Sequence, residues 1–219
     1  MSEKQKSVGP KRPAQKRDAE RTQQAILQAA LVEYAEHGFA GARIDRIAKN
    51  AGISKPMIYD YFGDKDDLYA AALREAYVQI RQGERELHLD EMAPKDAIRS
   101  LVNFTMAHFR SKPWFISMLN TENLRGGQTV RKIQDASEIQ SPLLAKLSEI
   151  LQRGSRDGTF RSDIDPVSLY VHIASLCYFP VSNAHTLRAV FRCPIDDAWL
   201  DHHVDQAAEM VLRFLKPSS

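Results

Sequence analysis

With 219 residues, 43% of them hydrophobic and 26% charged, the chain can bury a core of one or two domains and is not a disordered polypeptide. The net charge of +2 excludes a global basic field, but residues 1–21 carry Lys4, Lys6, Lys11, Arg12, Lys16, Arg17 and Arg21 against Glu3, Asp18 and Glu20, a local +4 that leaves −2 on residues 22–219. Two cysteines are too few for a disulfide framework, the N-terminus lacks a secretory apolar run, and the longest apolar stretch, 169–181, contains His172 and Pro180 and falls short of the ~20 residues of a membrane span. A cytoplasmic protein with no membrane partner is expected.

In chain order, Met1 to about Arg17 is polar, with Gly9, Pro10 and Pro13, and reads as a disordered basic arm, assigned to residues 1–19. From Asp18 the pattern turns helical. Leu27, Ala30, Leu31, Tyr34 and Ala35 form an apolar stripe, and Gly38 is placed to end the helix in a left-handed cap. Ile44, Ile47, Ala48 and Ala51 repeat the stripe in a shorter helix stopped by Gly52. Ser54 offers an N-cap oxygen to a third, very short helix with Pro56 in its first turn, and Asp64 caps a fourth with the stripe Tyr69, Ala72, Leu73, Ala76, Tyr77 and Ile80. None of these helices is long enough to stand alone, so they must bury their stripes on one another. Further helices are expected over 94–110, 113–124, 128–137, 142–154, 166–183 and 196–215. Asp165 and Pro166 open the fifth of these, Pro180 kinks or ends it, and Leu200, Val204, Ala207, Val211 and Leu215 stripe the last. No alternating run bounded by turn signals occurs, so the class is all-α.

Residues 42–61 are two helices joined by the tight turn Ala51-Gly52-Ile53-Ser54, the layout of a helix-turn-helix. At ~100° per residue, Ile58 and Phe62 share a core-facing side of the third helix, Pro56 and Asp60 point away, and Met57 and Tyr59 flank them. Lys55 stands at the end that meets base edges in such motifs. Lys55 can donate to guanine, Met57 can touch a thymine methyl, and Asp60 can accept from cytosine, whereas Tyr59, Tyr61 and Lys65 suit phosphate oxygens. Most glycine turns between amphipathic helices bind no DNA, and a carboxylate facing phosphates is repelled, so Asp60 counts against this reading. The basic arm is a solubilising tail or tracks phosphates and the minor groove.

Ile26-Leu27-x-Ala29-Ala30, Gly38-Phe39, Ile47-Ala48, Ala51-Gly52-Ile53-Ser54 and Ile58-Tyr59-x-Tyr61-Phe62-x-x-Lys65 resemble the N-terminal domain of the TetR family of repressors over about residues 20–80. The resemblance implies a homodimeric regulator with a DNA-binding domain at 20–80 and an effector-binding and dimerisation domain at 81–219. It implies a recognition helix at 54–62, with Lys55, Pro56 and Met57 near bases, Tyr59, Tyr61 and Lys65 on phosphates, and Ser54 and Asp60 counted among the DNA-binding residues. The second helix departs from the family pattern: Ala42 stands where Thr or Ser is usual, so the side-chain cap is absent and Arg43 is expected to supply a phosphate contact. Gly158-Thr159-Phe160-Arg161 and Asp163-Ile164-Asp165-Pro166 are similar to the branch that includes the pyrimidine-utilisation repressor, which implies dimerisation through the last two helices.

Phe104, His108, Trp114, Phe115, Met118, Tyr170 and Phe179 either line an effector cavity or are plain core, and Glu122 is an isolated polar candidate for the same cavity. His202 and His203 point ~100° apart on a helix and cannot readily share a metal. Cys177 reads as a small core residue and Cys193 as a loop cysteine. No glycine-rich phosphate loop, nucleophile elbow or paired metal-ligand spacing occurs. The expected function is a regulator released from a palindromic operator by a small effector, with no cofactor, metal or catalysis. An architectural DNA-organising protein of the same fold is the alternative, and an enzyme using the C-terminal cavity a remote one.

Overall fold

The computed structural model describes residues 13–217, which form ten α-helices and one 3-10 turn with no strand among them. The class is all-α, as the periodicity demands.

Helix α1 (Pro13–Gly41) buries Leu27, Ala30, Leu31 and Tyr34 of the stripe read from the sequence, leaves its Ala35 half-buried, and buries Ile26 as well. It starts at Pro13 rather than at Asp18. Proline fits a first helical turn, and Ala14, Gln15, Lys16 and Arg17 are all good helix formers. The expected arm therefore lies outside the described residues up to position 12 and is helix beyond it. Gly38 breaks the helix with φ +63° and ψ 179°, a kink rather than the expected left-handed cap, and one further turn runs to Gly41.

Helices α2 (Ile44–Ala51) and α3 (Lys55–Phe62) follow, and α2 ends where Gly52 adopts the left-handed conformation, φ +69° and ψ 29°. Helix α4 (Lys65–Arg85) opens on a capping box: the Asp67 N–H donates to the Asp64 side chain at 2.9 Å, and the Asp64 N–H donates back to Asp67 at 3.2 Å. Tyr69, Ala72, Leu73, Ala76 and Ile80 are buried, and the Tyr34 hydroxyl donates to the Lys65 carbonyl at 2.9 Å. Helices α1 to α4 thus close on one another, while the C-terminal half of α4 carries the chain into the remaining helices.

Helices α5 (Pro94–Ser111) and α6 (Pro113–Leu124) occur as expected. The helix expected over 128–137 does not form. Gly126 and Gly127 both take positive φ, and the buried Glu122 carboxylate accepts the N–H groups of Thr129 (2.6 Å) and Val130 (2.9 Å), so only a 3-10 turn at Val130–Lys132 results. Helix α7 (Ala136–Arg156) begins before Pro142, which lies inside it. Arg74 of α4 donates to both oxygens of Asp135, at 3.0 and 2.9 Å, and holds the residue from which α7 starts.

Helix α8 (Pro166–Ser182) is capped by Asp165, which accepts from the Ser168 N–H at 2.7 Å. It passes through the buried Pro180 and ends two residues later. A short α9 (Ala184–Phe191) lies between the helices expected over 166–183 and 196–215: it buries no residue and leaves Val190 and Phe191 exposed, so no stripe announces it. Helix α10 (Asp197–Phe214) packs on α5 and α8. Its sequence stripe faces inward: Leu200, Ala207, Val211 and Leu215 are buried and Val204 is half-buried within the chain's own core. Cys177 is fully buried, and Cys193 is half-buried. No helix among the described residues is long and apolar enough to cross a membrane.

Candidate nucleic-acid interface and internal cleft

The turn between α2 and α3 is held by local backbone bonds: Gly52 donates to Lys49 at 3.2 Å and Ile53 to Ala48 at 3.0 Å. On α3 only Ile58 is fully buried, and Phe62, expected beside it in the core, is half-buried. Ser54, Lys55, Pro56, Met57, Tyr59 and Asp60 are exposed, so the outward face read by angle is the face left to solvent. Tyr61 is half-buried against the core.

Three side chains behave differently from their expectation. Ser54 has the extended backbone of an N-cap, but its hydroxyl caps nothing. The Met57 N–H, which that hydroxyl would accept, donates to the Ser54 carbonyl instead, at 3.1 Å. Lys55 is paired with Asp45 of α2 at 3.0 Å, which lifts the lysine above its ordinary pKa and lowers that of Asp45. The Lys65 ammonium turns back onto its own protein, 3.4 Å from the Ala40 carbonyl and 5.0 Å from the Phe39 ring centre. Asp60 has no ion-pair partner among the described residues.

The cap missing at Ala42 is replaced from another helix. Glu33 of α1, 2% exposed, accepts the Arg43 backbone N–H at 2.8 Å and the Arg46 side-chain Nε at 2.8 and 3.0 Å. Arg43 is the N-cap residue of α2, and its guanidinium, two-thirds exposed, remains outside. Burial alone would raise the Glu33 pKa, but the Arg46 guanidinium and the Arg43 N–H outweigh it and hold the carboxyl below its ordinary value. Glu33→Ala is expected to lower the unfolding midpoint, because it removes the charged acceptor that caps α2 and holds Arg46, a loss of about 1–3 kcal/mol. It should also weaken DNA binding by loosening α2, checked by thermal unfolding beside a gel-shift titration; an unchanged midpoint would refute the role.

A second feature lies among α4, α5, α6 and α8: an aromatic cleft of about 270 Å³ bordered by Tyr77, Arg81, Phe109, Phe115, Tyr170 and Tyr178. Helix α6 forms one wall with Phe115 and Leu119, and on its other side Ser117 donates to the Ala35 carbonyl of α1 at 2.5 Å. At the C-terminal end of α6, the Arg125 guanidinium lies 3.6 Å from the Phe39 ring centre and 3.6 Å from the Asp66 carboxylate. The same helix touches the cleft and α1, and its C-cap reaches the start of α4.

A family model for bacterial regulatory proteins of the tetR family matches residues 26–72, and one for the tetracyclin repressor-like C-terminal domain matches residues 94–211. The chain belongs to the TetR family.

It is accordingly a helix-turn-helix, DNA-binding transcriptional regulator. Among its relatives, the HTH-type transcriptional repressor NicS of Pseudomonas putida is 38% identical over 82% of this chain and 84% of its own length. The HTH-type transcriptional regulator RutR of Escherichia coli is 25% identical over 88% of this chain and 90% of its own. Among solved structures, the Bacillus subtilis transcriptional regulator FadR in complex with stearoyl-CoA shares the fold, with a TM-score of 0.67 and 22% identity over 86% of this chain and 97% of that one.

Within this TetR-type C-terminal region, Tyr170 and Phe115 border the cleft. His108 is buried behind it, edge-on to Phe115 at 5.0 Å between ring centres, and burial lowers its pKa to about 4, so it is neutral. Met118 is buried in the core, and Glu122 is spent on the 3-10 turn. Trp114 packs beside Phe115 and under Lys112, and Phe104 lies on α5 against Gly83. Phe179 is not brought to the cleft; it is 57% exposed on the outer face of α8. Sequence reading missed Glu33, Arg81 and Arg125. The signal for Glu33 was the uncapped second helix, and that for Arg81 was its place immediately after Ile80 on the α4 stripe.

Proposed function

We propose that this TetR-family regulator is a repressor that holds a near-palindromic operator as a homodimer and is released when a small molecule enters the aromatic cleft. The observation that carries this reading is α6, which lines the cleft with Phe115 and Leu119 and grips α1 and Phe39 through Ser117 and Arg125. A ligand that displaces α6 moves the base of the helix-turn-helix, by no more than its differential affinity for the two arrangements. The names of the relatives, which include the Streptomyces coelicolor repressor SCO4008 at 30% identity over 68% of this chain and 70% of its own length, agree with repression, and FadR was crystallised with a small-molecule ligand.

The functional units are residues 20–80 for DNA and 81–219 for effector and partner, with any arm before them tracking the duplex. The dimer forms through α8 and α10, where Val167, Val171, Phe179, Met210 and Phe214 leave an exposed apolar face of the kind that marks interfaces. It would set two α3 helices ~34–36 Å apart in successive major grooves. Lys55, Pro56 and Met57 read base edges, with Lys55 leaving Asp45 to do so, while Arg43, Tyr59, Tyr61 and Lys65 contact phosphates. Ser54 approaches the same edge, and Asp60 selects a base. Such a regulator works beside the chromosome, in the cytoplasm, and needs no catalytic group.

Selection from a genomic fragment library at moderate salt tests this; the expected result is a small set of two-fold symmetric sites, and binding without selectivity would sink the reading. On the selected site, Asp60→Ala should change the preferred base at one position in each half. Tyr59→Phe should weaken all sites about equally, by roughly 1 kcal/mol. Identical effects of the two substitutions would disprove the division of labour.

A further inference from the structure

Arg81 is 2% exposed and borders the cleft, so a full positive charge sits in the wall of an aromatic cavity. Its Nη2 donates to the Tyr170 hydroxyl at 3.1 Å, and its Nη1 lies 2.8 Å from Glu84, but neither Nε nor Nη1 makes an aligned hydrogen bond. Glu84 does not complete the site. It is the buried ion-pair partner of Arg81 and borders, with Arg81, Leu89 and Lys146, a separate small hollow rather than the cleft. Glu84 thus pairs with the guanidinium from outside the cleft, and no acidic side chain lines that cleft among the described residues. A buried guanidinium with idle donors is costly, and a planar bidentate acceptor is the group that fits its fork. Over the Tyr170 ring the Arg81 guanidinium carbon stands 5.4 Å from the ring centre, and Tyr77, Phe109 and Tyr178 line the same cleft. The volume of about 270 Å³ lies just below the ~300–1,000 Å³ of most ligand sites and holds one ring rather than a long chain.

We propose that the effector is a small monocyclic aromatic acid, its carboxylate accepting from Arg81 and the Tyr170 hydroxyl and its ring enclosed by the tyrosine and phenylalanine walls. The assignment rests on the effector-released reading above and names the chemical class that such an effector must have. Benzoate, 4-hydroxybenzoate and phenylacetate are titrated at millimolar concentration into the full chain, each beside its primary amide, with the unfolding midpoint and calorimetric binding as readouts. At least one acid should raise the midpoint while its amide does not. Arg81→Gln should abolish that response, and Tyr170→Phe should weaken the bound acid about tenfold. Where Arg81→Gln does not fold, Tyr170→Phe and the acid–amide pair carry the test. Absence of binding by all three acids, amides binding as well as acids, or a folded Arg81→Gln that binds the acid unchanged would overturn the proposal. Selective operator binding without acid binding would defeat this inference alone, whereas acid binding without selective DNA binding would defeat the repressor reading and leave the site assignment standing.

Discussion

Ile58→Ala is expected to reduce selective DNA binding by about a hundredfold or more while leaving α5 to α10 folded. Helix α3 has eight residues, far fewer than an isolated helix needs in water, so its stability comes from packing. Ile58 is the single fully buried side chain in it, supported by the half-buried Tyr61 and Phe62. Truncation removes that anchor and leaves a cavity where α3 packs on α2 and α4, a cost of about 2–5 kcal/mol. The outward residues then lose the orientation that sets them in a groove, although none has been altered. Ile58→Val, which keeps the branch, should cost only about 0.5–1.5 kcal/mol and retain most of the affinity. Fluorescence anisotropy on the selected operator, beside circular dichroism and thermal unfolding, separates the two variants. Affinity within about twofold of the parent for Ile58→Ala would show that α3 is held by something else.

The second large effect lies at the other end of the molecule and should affect stability more than DNA. Gly154→Ala is expected to lower the unfolding midpoint by several degrees. A Cβ at Gly154 would stand 2.1 Å from one carbon of the Phe160 ring and 2.7 Å from two others, far inside contact distance. Phe160 cannot swing away cheaply: it is 3% exposed, and its N–H donates to the Gly154 carbonyl at 2.8 Å, which fixes the loop over the end of α7. Overpacking of this kind costs about 1–3 kcal/mol, and each kcal/mol is worth roughly 2–4 °C in a chain of this size. Adding Phe160→Leu should restore part of the loss, since the smaller side chain vacates the added methyl's place. Scanning calorimetry of the single and double variants checks both statements; a midpoint unchanged in Gly154→Ala would mean that the loop shifts freely.

The functional residues divide between local and distant causes. The outward face of α3 was legible because ~100° per residue and one buried isoleucine determine which side chains are left over. The resemblance over residues 20–80 added roles that spacing alone could not supply. Glu33 was not legible as a cap for α2, because its partners lie ten and thirteen positions away on another helix. Lys55 looked free for a base until α2 brought Asp45 to 3.0 Å. The candidate effector residues fared unevenly for the same reason: periodicity says that Tyr170, Met118 and Phe179 lie on helices, but not whether their neighbours leave a cleft, a packed core or solvent beside them.

By itself, the sequence determined the all-α class, the helix-turn-helix, the stripes of α1, α2 and α4, and the end signals at Gly52, Asp64 and Asp165. Each of these depends on hydrogen bonds spanning a few residues or on the 3.6-residue period, which a linear pattern records directly. Only the tertiary structure decided that α1 begins at Pro13, that Gly126, Gly127 and Glu122 replace a helix by a 3-10 turn, that α7 runs through Pro142, that the α10 stripe faces inward, and that Arg81, paired with Glu84, is buried in the wall of the cleft. These outcomes depend on which distant surface a residue meets, and that is set by the packing of whole helices rather than by the chain near the residue.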